Sequence, residues 1–177
     1  MKISRVDAGG LAGCVGELAA LLADAVADDA SIGFRAKTGP AELAAWWTAL
    51  EPDLAGGRLL LWAARSGGRI DGTVQLRLDG TPSRAHRAEV AKLVVHRRAR
   101  GRGLARALLS TAEDAAAVLG RTLLLLDVET ASPAERLYRR QGWTEYGVLP
   151  DATAGPAGDL RSTSYYYKDL QVRGSQR

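Results

Sequence analysis

Apolar residues recur along this chain with two different periods, and the changes between them mark out its elements. Leu11, Val15, Leu18, Leu22 and Val26 keep the spacing of one helix face, which predicts a helix from Leu11 to about Ala27. A second helix starts near Pro40, whose fixed φ suits a first turn. It gathers Leu43, Trp46, Trp47 and Leu50 on one broad face before Glu51-Pro52-Asp53 and Gly56-Gly57 stop it. From Arg58 to Arg65 the run Leu-Leu-Leu-Trp-Ala-Ala reads as a buried strand, and Ser66-Gly67-Gly68-Arg69 as a hairpin turn. Ile70–Leu78 alternates through Val74, Leu76 and Leu78 like a half-buried strand. Asp79–Ser83 is a loop, and Ala88–Val95 a third strand. Three strands joined by short turns predict an antiparallel meander. Residues 2–7 read as a further short strand.

The third strand runs into His96-Arg97-Arg98-Ala99-Arg100-Gly101-Arg102-Gly103 and then a helix to Leu119, with Leu104, Leu108, Ala115 and Leu119 on one face. Gly120 supplies its stop. Thr122–Val128 is an apolar strand whose last polar position is Asp127, and strand, helix and strand of this length imply a parallel pairing. Ser132, Pro133 and Glu135 stand in the register of an N-cap, a first-turn proline and a capping-box glutamate. That helix ends near Gln141, before Gly142. Trp143–Val148 and Ser164–Lys168 read as the last strands, with the Pro/Gly-rich segment 150–158 as a surface loop and 171–177 as a flexible tail. The expected fold is therefore α/β (α+β). It is a single domain over 1–170, with a mixed, mostly antiparallel sheet, a central parallel splayed pair and flanking helices.

Composition narrows the function. The 177 residues suit one domain, and 46% hydrophobic with 25% charged residues is ordinary for a soluble globule. The formal charge of +4 is local to the Arg turn, with no second basic stripe interleaved with aromatics. This favours a small polyanionic ligand over nucleic acid; a basic turn facing DNA or a membrane is the competing reading. The single cysteine, Cys14, excludes an intrachain disulfide and fits a reducing cytoplasm. It reads as core filling, so no acetyl-cysteine intermediate is expected. With only His86 and His96 beside it, no metal site is expected. No apolar run reaches membrane-spanning length. Leu11-Ala12-Gly13-Cys14 resembles a lipoprotein box, but Arg5, Asp7 and two glycines precede it, so no signal peptide is expected. The expectation is a cytoplasmic monomer or homodimer.

The Arg turn carries the chemistry. Glycines let a backbone approach closely, and free N–H groups at the positive end of a helix dipole hold an anion. Arg97, Arg98, Arg100, Arg102 and Arg106 add forked donors suited to phosphate. The spacing Arg98-x-x-Gly101-x-Gly103, with the later Leu137-Tyr138-x-x-x-Gly142-Trp143, resembles the GNAT N-acetyltransferases. That resemblance implies acetyl-CoA as cosubstrate. It places the pyrophosphate on Arg98, Arg100, Gly101, Arg102, Gly103, Leu104 and Ala105, and the pantetheine beside Leu93, Val94 and Val95. One departure stands out: the Asn that commonly lies six residues before the motif's Leu is Ala131.

Within that superfamily the chain is most similar to the tabtoxin-resistance acetyltransferases. The likeness rests on Ala30-Ser31-Ile32-Gly33-Phe34, Gly57–Trp62, Arg87-Ala88-Glu89-Val90 and Leu126-Asp127. Those enzymes acetylate a small amino-acid-like toxin, which implies a small amine acceptor. By resemblance Glu89 and Asp127 match acidic active-site positions, and Tyr138 a general acid. The residues themselves leave choices open. Counting by twos puts Glu89 on one face with Ala91, Leu93 and Val95, where burial would make a carboxylate a stronger base. The competing reading is an edge carboxylate paired with an arginine such as Arg87. Asp127 could take the amine's proton, hold an ammonium, or satisfy loop N–H groups. Tyr138 could instead be a packed aromatic. Phe34, Trp46 and Trp47 are candidates for the acceptor wall, against an ordinary core role.

Overall fold

The computed structural model describes residues 2–170. Seven strands form one sheet: β1 (Lys2–Val6), β2 (Leu59–Ser66), β3 (Arg69–Leu78), β4 (Arg87–Val95), β5 (Leu123–Glu129), β6 (Thr144–Ala154) and β7 (Leu160–Asp169). Their order is β1-β2-β3-β4-β5-β7-β6. The meander β2–β3–β4 is antiparallel as expected, and β4 with β5 is the parallel pair. The tail expected at 171–177 lies outside the described residues.

Each sheet face buries its own core. One face carries Leu60, Trp62, Val74, Leu76, Val90, Leu124 and Leu126 against helix α5 (Leu104–Val118). The other carries Leu59, Leu61, Ala63 and Val94 against helices α1 (Ala8–Leu11), α2 (Val15–Ala27), α3 (Pro40–Thr48) and α4 (Glu51–Ala55). Alternation along β2 thus feeds two cores. The two segments expected as one helix each are both split. Asp7 caps Gly10 and opens α1, and the chain turns at Ala12–Cys14 before α2. Pro52, instead of ending α3, sits in the first turn of α4, where a missing N–H costs nothing. On α5 the buried stripe runs through Leu104, Leu108, Leu109, Ala112 and Ala116, while Leu119 is exposed.

Helix α6 (Pro133–Arg140) begins with the expected cap: the Ser132 hydroxyl accepts from Glu135 N at 3.1 Å. Glu135 reaches back one residue further than a capping box does, accepting from Ala131 N at 2.7 Å. It also accepts from Tyr166 Oη (2.8 Å) and Arg139 (3.1 Å). Burial alone would raise the Glu135 carboxyl, but these donors and Ser164 outweigh it and hold its pKa at about 2. Stability from this group is fully present above the unfolded value of 4.5 and is lost as pH falls toward 2. Thermal midpoints measured from pH 7 down to 2 should therefore drop below about pH 4.5. Glu135→Gln should start lower and fall less across that window; an equal fall in both proteins would remove Glu135 from the account.

The sheet's far edge differs from expectation. Residues 150–154 were expected in a loop, yet β6 runs on to Ala154, and β7 begins at Leu160. An edge strand tolerates Pro150, because one of its sides needs no donor. The extra length is absorbed at Asp151, with φ of +54° and a register shift between Leu149 and Thr153.

Candidate active site

β4 and β5 pair only through Arg87–Leu123, Ala88–Leu124 and Glu89–Leu125. Beyond that they splay, and β4 from Val90 to Val95 faces a gap instead of a strand. The gap opens into a cleft of about 860 Å³ lined by β4, β5, the 28–33 loop, Arg161 of β7, and Leu137 and Tyr138 of α6. A second hollow, about 160 Å³, shares Val95, Arg100, Ala105 and Leu137 with it and extends along the Arg turn to Gly101, Gly103, Leu104 and Arg106.

The turn has the geometry of an anion cradle. Gly101 and Gly103 hold φ of +74° and +76°, the left-handed region that a side chain resists. Gly103 is the N-cap of α5. The amides of Gly101–Ala105 donate to no backbone group among the described residues, so the orphan donors of a helix start face outward together. The arginines divide their work. Arg97 bonds Asp24 of α2 at 2.9 Å, and Arg100 pairs with Asp28. Arg98 bonds Asp71 Oδ1 at 2.7 Å and the Ile70 carbonyl at 3.0 Å. The residue expected on the pyrophosphate thus has its guanidinium turned to β3, where it braces the turn. Arg106 lines the smaller hollow, and Arg102 is exposed on the turn.

A β-bulge alters β4. Gln75 pairs with Ala91 but Thr73 with Val94, so one extra residue sits at Lys92–Leu93, and Lys92 has φ of +47°. Counting by twos fails across it. Glu89 and Ala91 share a face with Val94, on the α2 side, while Val95 joins Val90 on the α5 side. Nor is Glu89 amid apolar neighbours. Its side chain is 44% exposed and lies 3.7 Å from Arg77, its cross-strand partner. The expected burial is absent, and the pairing is with Arg77, not Arg87.

Asp127 shares that face, because Glu89 pairs with Leu125 and Asp127 lies two residues on. It lines the cleft and forms no ion pair among the described residues. The strand continues past it to Glu129. Tyr138 closes the deep end, 6% exposed and edge-on to Trp143 at 5.8 Å. Burial, and then the nearby Asp127 charge, push its hydroxyl well above the usual phenol range. Ala131, where the Asn was expected, lines the cleft with φ of +64°. Asn tolerates that conformation better than Ala does.

The aromatic trio does not form the wall. Trp47 is fully buried; Phe34 packs edge-on to Trp46 at 5.4 Å. Only Trp46 approaches the cleft, beneath Lys92 Nζ at 5.3 Å from the ring centroid. Cys14 is buried, its thiol raised by that burial, and bonds the Leu11 carbonyl at 3.3 Å. Lys92, Arg106 and Arg161 line the hollows without having been singled out as site residues. Of these only Arg106 was signalled by the sequence, as part of the arginine run.

The sequence profile of the acetyltransferase (GNAT) family matches residues 23–143, more than half the chain. Solved structures share the fold at low identity. A ribosomal-protein-alanine N-acetyltransferase from Brucella melitensis is 22% identical, with a TM-score of 0.77 over 96% of this chain and 100% of its own. An N-acetyltransferase from Staphylococcus aureus Mu50 is 18% identical, with a TM-score of 0.76 over 96% and 98%. A GNAT superfamily phosphinothricin acetyltransferase from Sinorhizobium meliloti, solved in complex with acetyl-CoA, is 18% identical, with a TM-score of 0.75 over 96% and 89%. With the profile match, the splayed parallel pair and the cradle at the start of α5, this chain belongs to the acetyltransferase (GNAT) family and is an acetyl-CoA-dependent acetyltransferase.

Proposed function

We propose that this enzyme acetylates the amine of a small amino-acid-like compound by direct transfer. The observation that carries this is the single cleft in which Asp127, Glu89 and Tyr138 meet where β4 and β5 part. Its mouth is strapped. Arg161 bonds Asp29 (2.8 Å) and Glu129 (3.2 Å), and Ala36 N donates to the Pro156 carbonyl at 3.0 Å. A strapped mouth favours a small acceptor over a protein N-terminus. The residue patterns that resemble tabtoxin-resistance enzymes, together with a fold shared by a phosphinothricin acetyltransferase, favour a resistance or self-protection role.

The turn fits the phosphates of acetyl-CoA: the amides of Gly101–Ala105 cradle them, with Arg102 and Arg106 as the turn's cations that bind no carboxylate among the described residues. Arg98 and Arg100 hold the turn's shape. The backbone of Ala91–Val95 lies along the gap, where it holds the pantetheine arm and supplies an N–H to the developing oxyanion. Bound there, acetyl-CoA supplies an activated thioester. Asp127 takes the proton from the acceptor's ammonium, freeing the nitrogen that forms the new C–N bond. As the C–S bond breaks, Tyr138 gives its hydroxyl proton to the sulfur, and the second proton that the nitrogen sheds in becoming an amide restores the Tyr138 phenol. Glu89, held by Arg77, is assigned to orienting the ammonium. Cys14, buried in the α1–α2 core, takes no part.

Thiol release from acetyl-CoA across a panel of amino acids, amino-acid analogues, aminoglycosides and short peptides tests the reading. Turnover of the first two groups is expected. Turnover of peptides or aminoglycosides alone would overturn the acceptor class, and no turnover of any would point to a CoA-binding module without chemistry. Tyr138→Phe should lower kcat by roughly 10- to 100-fold without changing KM for acetyl-CoA, and high pH should not rescue it, since raising pH supplies no proton.

A further inference from the structure

One side chain of the cleft has no part in the roles above. Lys92 occupies the bulge of β4 in a backbone conformation that residues with side chains seldom adopt. Such strain persists where the surrounding structure enforces it, often at ligand sites. Its Nζ reaches the cleft wall, over the Trp46 ring, and a β-carbon at Gly33 would sit 3.8 Å from it. Among the described residues this ammonium makes no hydrogen bond and no ion pair. Burial and then the Arg77 charge push its pKa down, against the pull of Asp127 and Glu89. A half-buried cation short of hydrogen bonds calls for an anion. Among the described residues, the Ser31 hydroxyl on the cleft wall and the buried Gln75 side chain, on the face of Glu89 and Arg77, also stand without partners.

Of the five carboxylates that line the cleft, Asp28, Asp29 and Glu129 are held by Arg100 and Arg161, which leaves Asp127, and Glu89 with its long contact to Arg77, beside the Lys92 ammonium. That is the complement of a zwitterion. We infer that Lys92 anchors the acceptor's carboxylate, so that the substrate is an α-amino acid or close analogue whose amine is delivered to Asp127. The inference rests on the acceptor class proposed above. It adds a carboxylate subsite at the bulge, with Trp46 beneath the lysine to hold its position.

Steady-state kinetics with L-amino acids, each beside its own α-amide, tests this. The amide keeps the reacting amine and loses the anion. The wild-type enzyme should favour the acid through KM. Lys92→Met should raise KM for the acids roughly 10- to 100-fold, the scale of a lost charge-assisted hydrogen bond. KM for the amides, KM for acetyl-CoA and kcat should stay close to wild type. Lys92→Arg should keep most of the preference. Lys92→Gln repeats the test with a polar neutral side chain if the Met variant does not fold. Equal losses on acids and amides, a fall in kcat with a displaced pH profile, or an unchanged preference would each overturn the carboxylate subsite while leaving the acceptor class standing. Wild-type turnover restricted to amines without a carboxylate would overturn both.

Discussion

Asp127→Asn should lower kcat/KM by roughly 10²–10⁴, the scale of losing a positioned general base. The substitution keeps shape and removes only the capacity to accept a proton. An aliphatic amine is almost wholly protonated near neutral pH, so attack waits on deprotonation. The defect should therefore shrink as pH rises and free amine becomes abundant. Acetyl-CoA affinity should hardly move, because the turn that holds the phosphates lies at the start of α5 and Asp127 on β5. Glu89→Gln should cost less, since its carboxylate is 44% exposed and already faces Arg77. The pH–rate profiles of both variants decide the assignment. A larger, pH-rescued loss in Glu89→Gln would transfer the base to Glu89.

Glu113→Leu should destabilise the protein by about 3–5 kcal/mol, the usual loss when one partner of a buried ion pair is removed. Glu113 and Lys168 are 3% and 7% exposed at the side chain and lie 2.7 Å apart. Glu113 also accepts from Trp143 Nε1 at 2.9 Å, and Lys168 donates to the Gln141 carbonyl. The single change leaves an ammonium buried and a Trp N–H unsatisfied. The double variant E113L/K168M removes both charges and should recover much of the loss. Denaturant titration of the three variants measures this; a double variant as unstable as the sum of the singles would show the pair to be uncoupled. Trp143 packs edge-on against Tyr138, so the single variant should also lose activity by loosening the proposed acid.

How much of this was legible in the sequence depends on how local each cause is. The meander, the parallel pair and the cap at Ser132 follow from periodicity and short-range residue signals, and all three are present. The glycines of the turn were legible for the same reason, since φ preference belongs to the residue itself. Arg98 was not. Its partner Asp71 is 27 positions away, and no spacing rule tells a phosphate-binding arginine from one that braces a strand. Glu89 failed differently. Alternation assumes an unbroken pleat, and the bulge at Lys92 shifts it by one without any glycine to announce it. Trp46 and Trp47 were ambiguous because a broad apolar face serves a core and a wall equally. The chain separates them: Trp47 is sealed in the core, and Trp46 sits under Lys92.

The same bulge makes β4 a strand with two phases. Before it, inward and outward positions obey one parity; after it, the opposite one. Glu89 and Ala91 stand on the face of Val94 and the α2 core, whereas Val95 packs in the α5 core. The half that packs on the α2 side and the half that packs on the α5 side can thus drift in sequence separately, though they are one continuous strand. Removing a single residue at 92 or 93 would restore perfect alternation and leave Glu89, Ala91 and Val94 on one face, with Val90 and Val95 on the other. An alignment that set this strand against an unbulged one without a gap there would place every residue on one side of the bulge on the wrong face.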